Sequence, residues 1–120
     1  MQLQSKTTNI VVSIDNSNNV VIIYNMKAKL FLKRRFLLSE AAFAEIVIWQ
    51  LQAPLDGSAH DYKYRLAYVV NGDCVLRYDN ETGKGNHLHL NEQELSYDFV
   101  SPEQLLKDFF AQIKRMENQP

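Results

Sequence analysis

Two of the chain's three histidines stand two residues apart, in Asn86-His87-Leu88-His89-Leu90. On a strand, that spacing puts both imidazoles on one face and Leu88 and Leu90 on the other. Arg77, Asp79 and Asn80 close a strand-like run just upstream, and Gly83-Lys84-Gly85 supplies a bend between the two. These residue types can act on a phosphodiester. RNA cleavage needs a base for the 2′-hydroxyl proton, an acid for the leaving oxygen and a cation for the developing charge. His87 or His89 fits either proton-transfer role, because imidazole titrates near neutral pH. Arg77 offers a planar fork for phosphate. Asp79 would orient a histidine or act as the base itself. Tyr64 and Tyr68 would stack bases or donate a hydrogen bond, with Lys84 and Asn80 meeting the substrate beside them.

Plainer readings compete with this one. Two exposed strand histidines need no function. Arg77 and Asp79 can be an ordinary ion pair of small energetic weight. A metal held by His87 and His89 would need a third ligand, which His60, Asp79 or a glutamate would have to supply. No metal or other cofactor is expected. The Gly-Lys-Gly segment is not a phosphate-binding P-loop, since it lacks the earlier glycine, the following Ser or Thr and a strand-to-helix context. No Gly-x-Ser-x-Gly elbow occurs. A non-catalytic module that binds nucleic acid or protein therefore stands as the alternative to an enzyme.

The elements that must position these residues are mostly strands. Residues 62–70 and 73–79 flank Asn71-Gly72, the strongest hairpin signal in the chain, because both turn residues accept positive φ. A two-residue loop makes paired positions sum to 143. Ala67 then faces Leu76 and Val69 faces Cys74, on the side expected to be core. Tyr64, Leu66 and Tyr68 share the other side with Asp79, Arg77 and Val75. Cys74 is expected to be buried and inert, and a one-residue slip would reverse every assignment. Residues 9–25 carry two β-branched runs around an Asp/Asn/Ser cluster, a further hairpin. In residues 26–38, Lys27, Lys29, Phe31 and Lys33 alternate with apolar positions, which predicts a strand with one basic face. Residues 41–52 read as a long, largely covered strand. Ser101, Pro102 and Gln104 mark a helix start with a capping box, and Leu105, Leu106, Phe109, Phe110 and Ile113 form its apolar stripe.

The expected architecture is α+β: a curved, mostly antiparallel sheet of five to seven strands packed against one C-terminal helix. At 120 residues the chain is sized for a single domain, 1–120. A net charge of −1 advertises neither nucleic acid nor membrane. The basic residues cluster at Lys27–Arg35, where they form either a solvated face or a strip for RNA phosphate or an acidic protein. A single cysteine excludes an internal disulfide framework. No apolar run is long enough to span a membrane, and no signal peptide is apparent, so the cytoplasm is expected.

The segments "FAEIVIWQLQAP", "GSAHDYKYRLAYVV", "CVLRYDNETGKGNHLHL" and "YDFVSPEQLLKDFFAQI" resemble the TumE-like family, toxins of bacterial and archaeal toxin–antitoxin pairs. The resemblance covers about residues 26–116. It implies a cytoplasmic toxin acting on RNA, paired with a small antitoxin of the kind that often carries a helix-turn-helix. The matching positions include Tyr64, Arg65, Arg77, Asp79, Asn80, Lys84, His87 and His89. The family pattern has an aspartate where this chain has Asn86. If that carboxylate assists catalysis, this member is weakened; if it only caps the turn, asparagine serves equally. The family's usual start falls near Met26, which makes residues 1–25 either an additional hairpin or an upstream extension, and the β-branched pattern favours the hairpin. Exposed edge strands leave room for a homodimer.

Overall fold

The computed structural model describes residues 28–119 in full and, before them, the backbone of three short strands. These are β1 (Gln2–Gln4), β2 (Asn9–Ile14) and β3 (Val20–Tyr24), which form a three-stranded antiparallel sheet in the order β1-β2-β3. The Asp/Asn/Ser cluster of the first hairpin lies outside the described residues, as do Met26 and Lys27.

The rest is an α+β unit. Six antiparallel strands run in sequence order: β4 (Ala28–Leu37), β5 (Ala42–Leu51), β6 (Tyr62–Val70), β7 (Asp73–Glu81), β8 (Gly85–Leu90) and β9 (Gln93–Ser96). The sheet is open, with β4 and β9 at its edges. One helix, α1 (Pro102–Glu117), covers one face. Ser101 caps it, its hydroxyl accepting from the Gln104 N–H at 3.1 Å, and Pro102 stands at the first position, where no N–H is missed. Half of the expected capping box is absent. The Gln104 side chain donates to Asp108 Oδ1 instead, at 2.8 Å, while the Tyr97 hydroxyl donates to the other oxygen, Oδ2, at 2.6 Å. Leu105, Phe109 and Ile113 are buried against Ala44, Ile46, Ile48, Tyr64, Leu66, Tyr68, Leu76 and Tyr78. Phe110 sits at the margin, edge-on to Phe36.

Asn71 and Gly72 both have positive φ, so the hairpin turn forms as its sequence dictates. Val69 faces Cys74, and Val70 faces Asp73. A bulge then intervenes, and from Tyr68–Leu76 onward paired positions sum to 144 rather than 143. One extra residue on β7 exchanges the faces. Tyr64, Leu66, Tyr68, Leu76 and Tyr78 point to the helix, whereas Arg77 and Asp79 point away from it. The expected core pair Ala67–Leu76 is therefore not a pair. Cys74 is exposed, not buried, because it lies beside the turn opposite Val69, on the face away from α1. A second bulge, between Leu30 and Leu32, divides the expected basic face of β4: Lys33, opposite Val47, lies away from the helix, while Lys29, opposite Gln50, lies on the other side.

Candidate functional site

The open face of β7 and β8 gathers four of the candidate residues. Asp79 pairs across the ladder with His87, and Arg77 with His89, so all four side chains rise from one side of the sheet. Arg77 Nε lies 3.0 Å from Asp79 Oδ2. The guanidinium N–H is not aligned for a hydrogen bond, so this contact is one of charge. Asp79 Oδ1 lies 3.7 Å from His89 Nε2, and His87 Nδ1 lies 3.1 Å from Glu94 Oε1 on the next strand. The two imidazole centroids are 6.4 Å apart.

Three atoms of this cluster are buried and make no hydrogen bond: Arg77 Nε, Asp79 Oδ1 and His87 Nε2. Arg77 Nε and Asp79 Oδ1 still face a counter-charge, at 3.0 and 3.7 Å, whereas a buried polar atom with no partner costs about 1–3 kcal/mol. With the His87 proton on Nδ1 facing Glu94, the set is one donor, Arg77 Nε, and two acceptors, Asp79 Oδ1 and His87 Nε2. Among the described residues no group of three or more His, Cys, Asp or Glu side chains is arranged to hold a metal ion.

Lys63 is a member of this neighbourhood that the sequence reading missed. It stands on β6 with its ammonium donating to the Asn80 carbonyl oxygen. Burial lowers its pKa, and the charges of Asp79 and Glu81 partly oppose that shift. Arg65, directly across from Asp79, is exposed on the same face. Neither could be placed there without the bulge that sets the register. Lys84 sits at the tip of the β7–β8 turn, largely exposed and 3.7 Å from Glu81.

The other proposed substrate residues lie on the helix side. Tyr64 and Asn80 are each 1% exposed, and Tyr68 is also buried. The Asn80 amide is used by β6: its Oδ1 accepts from the Tyr64 N–H at 2.9 Å, and its Nδ2 donates to the Tyr62 carbonyl at 2.7 Å. Burial, reinforced by Asp79, pushes the Tyr64 pKa well above the ordinary phenol value. Its hydroxyl donates to Asn86 Oδ1 at 2.7 Å. His60 meets the same oxygen at 2.8 Å through Nε2. Because His60 Nδ1 accepts from the Tyr62 N–H at 3.2 Å, Nε2 must be the protonated nitrogen. The His60 ring stacks on Phe99 at 3.9 Å. Asn86 thus faces away from its neighbour His87 and serves this second, structural cluster.

The glycines of the β7–β8 turn have a defined purpose. Gly83 and Gly85 have positive φ, and the Gly83 N–H donates to the Asp56 carbonyl at 2.7 Å. Gly57 packs backbone to backbone on Gly83, where an added Cβ would come within 3.3 Å of the Gly83 Cα. The β5–β6 loop is thereby clamped onto the turn that leads to His87.

A six-stranded antiparallel sheet backed by one C-terminal helix, with a polar cluster on the face away from that helix, defines a small α+β protein. A family model described as Toxin TumE matches residues 11–117, and the chain belongs to that family. The matched span begins upstream of Met26 and so includes part of the N-terminal strands. Membership supports a toxin role and implies an antitoxin partner. Neither the curated proteins nor the solved structures contain a match. Among the described residues, no helix is long and apolar enough to cross a membrane.

Proposed function

We propose that this toxin acts on RNA by metal-independent acid–base cleavage at the Arg77–Asp79–His87–His89 cluster. The observation that carries the reading is the gathering of Arg77, Asp79, His87 and His89 on one face of β7 and β8, with Arg77 Nε, Asp79 Oδ1 and His87 Nε2 buried and making no hydrogen bond. A phosphodiester with its adjacent 2′-hydroxyl supplies an acceptor for Arg77 and a proton for His87. His87, with its proton on Nδ1 facing Glu94, keeps the Nε2 lone pair to take the 2′-hydroxyl proton. The 2′-oxygen attacks phosphorus, and the guanidinium of Arg77 meets the charge that builds on the phosphoryl oxygens. His89 donates a proton to the departing 5′-oxygen, with the Asp79 carboxylate opposite its Nε2 to hold the imidazolium in place. Lys84, at the turn tip, would steer the incoming backbone. Tyr64, Tyr68 and Asn80 have a supporting role, since they hold β6 and β7 in register from the helix side. The partner is the cognate antitoxin, and a helix-turn-helix protein encoded beside the toxin would fit it.

Purified protein should cleave RNA in the presence of EDTA, and His89→Ala should abolish cleavage while retaining the circular dichroism spectrum of the wild type. Undiminished cleavage by that variant would remove His89 from the mechanism. A second reading, a binding module without catalysis, draws on the internal pairing of the cluster: Arg77 already faces Asp79, and His87 faces Glu94. It predicts salt-dependent RNA binding without products, equal for wild type and a His87→Ala/His89→Ala double variant.

A further inference from the structure

The ladder registers line up two rows of side chains straight across the uncovered face. The first runs Lys33, Val47, Arg65, Asp79, His87 and Ser96, from β4 to β9. The second runs Arg35, Glu45, Ala67, Arg77, His89 and Glu94. In the second row, Arg35 is paired with Glu45 at 2.9 Å and lies over the Phe43 ring at 4.1 Å. In the first row the cations are not so engaged. Arg65 stands opposite Asp79, yet Arg77 takes that carboxylate. Among the described residues, neither Arg65 nor Lys33 has an ion pair or side-chain hydrogen bond.

Resting on the RNA reading above, we infer that Arg65 and Lys33 form a phosphate track for single-stranded RNA, leading from the histidine cluster across β6 and β5 to β4. Strands in a sheet lie about 4.8 Å apart, so Arg65 is about one strand spacing from Asp79, and Lys33 about three spacings, or roughly 14 Å. The row is straight and crosses the strands, so one extended backbone can meet both cations in turn. Between them lies half-buried Val47. It gives sugars and unpaired bases an apolar contact, which a duplex, with its bases stacked inside, cannot use. The chain's net charge of −1 gives no sign of this arrangement, and the two rows carry Glu45, Asp79 and Glu94 beside their cations.

The test is the salt dependence of binding to a short, mixed-sequence 2′-O-methyl RNA, which offers phosphates but no nucleophile, with a duplex of the same sequence alongside. Each phosphate contact on a single strand contributes about 0.7 to the slope of log affinity against log salt. Arg65→Gln and Lys33→Gln should each weaken binding and flatten the slope by about 0.7, and the double variant by about 1.4. Lys107→Gln, on the exposed side of α1, should bind as wild type does. Should the duplex bind as tightly, with the same dependence on Arg65 and Lys33, the single-strand assignment is overturned. Unchanged RNA binding combined with loss of antitoxin binding in the two variants would make the row a protein interface and also overturn it. If wild type cleaves RNA and both variants keep the wild-type slope, the track fails while the catalytic reading stands. If wild type neither binds nor cleaves RNA, both fail.

Discussion

Asn86 holds two donors on a single oxygen, the Tyr64 hydroxyl and the His60 imidazole. Its side chain serves the helix side of β8, while His87 and His89 serve the open side. An aspartate at this position would keep both hydrogen bonds and accept them as a charged group. Asn86→Asp is therefore expected to be neutral or stabilising in a denaturant titration. Asn86→Ala should cost about 1–3 kcal/mol, because it leaves the buried Tyr64 hydroxyl without its partner. Neither outcome depends on catalysis. The chemical types of the cluster were legible from spacing alone: two histidines at i and i+2 must share a strand face, and so must Arg77 and Asp79. Lys63 and Arg65 were not legible as neighbours of these groups, because only the pairing register brings β6 beside them.

Among the elements, the Asn71–Gly72 turn was readable because its backbone demands residues that tolerate positive φ. The bulge that follows it carries no comparable signal. It inserts one residue into β7 without Gly or Pro and moves Tyr64, Leu66 and Tyr68 from the expected outer face to the core. Hence Arg77 and Asp79 were expected on the face away from the core and are found there, while the tyrosines assigned beside them are not. The loop clamp makes a prediction of its own. Gly57 has φ of +82° and lies against Gly83. Gly57→Ala should destabilise the protein by about 1–3 kcal/mol through left-handed strain and the close backbone approach. Thermal unfolding would register this as a lower midpoint, and Gly72→Ala, which meets no neighbour within 4 Å, separates the strain from the contact.

For the whole molecule, the core contains phenols that are reluctant to ionise. Burial raises the pKa values of Tyr64, Tyr68, Tyr78 and Tyr97, and for Tyr97 the hydrogen bond to Asp108 adds to it. The folded chain then retains protons that the unfolded chain releases above about pH 10. Stability is full below that pH and falls as pH rises through the raised values, by up to about 1.4 kcal/mol per pH unit for each tyrosine fully affected. Lys63, with its lowered pKa, opposes the fall, but it is one group against four. Urea titrations between pH 9 and 11 should show this decline, and Tyr97→Phe should make it shallower; an unchanged slope would detach Tyr97 from the alkaline transition. The helix-backed sheet was legible as a class because hairpin turns and one amphipathic helix dominate the sequence. The alignment of Lys33 and Arg65 across the strands was not, because it depends on the pairing registers.

The central claim is that this face cleaves RNA through the 2′-hydroxyl without a metal. The direct measurement is the end chemistry of RNA incubated with purified protein in EDTA. Wild type should leave 2′,3′-cyclic phosphate ends and spare a 2′-O-methyl strand, and His89→Ala should leave the RNA intact. Cleavage of the methylated strand, or cleavage that EDTA abolishes, would contradict the account.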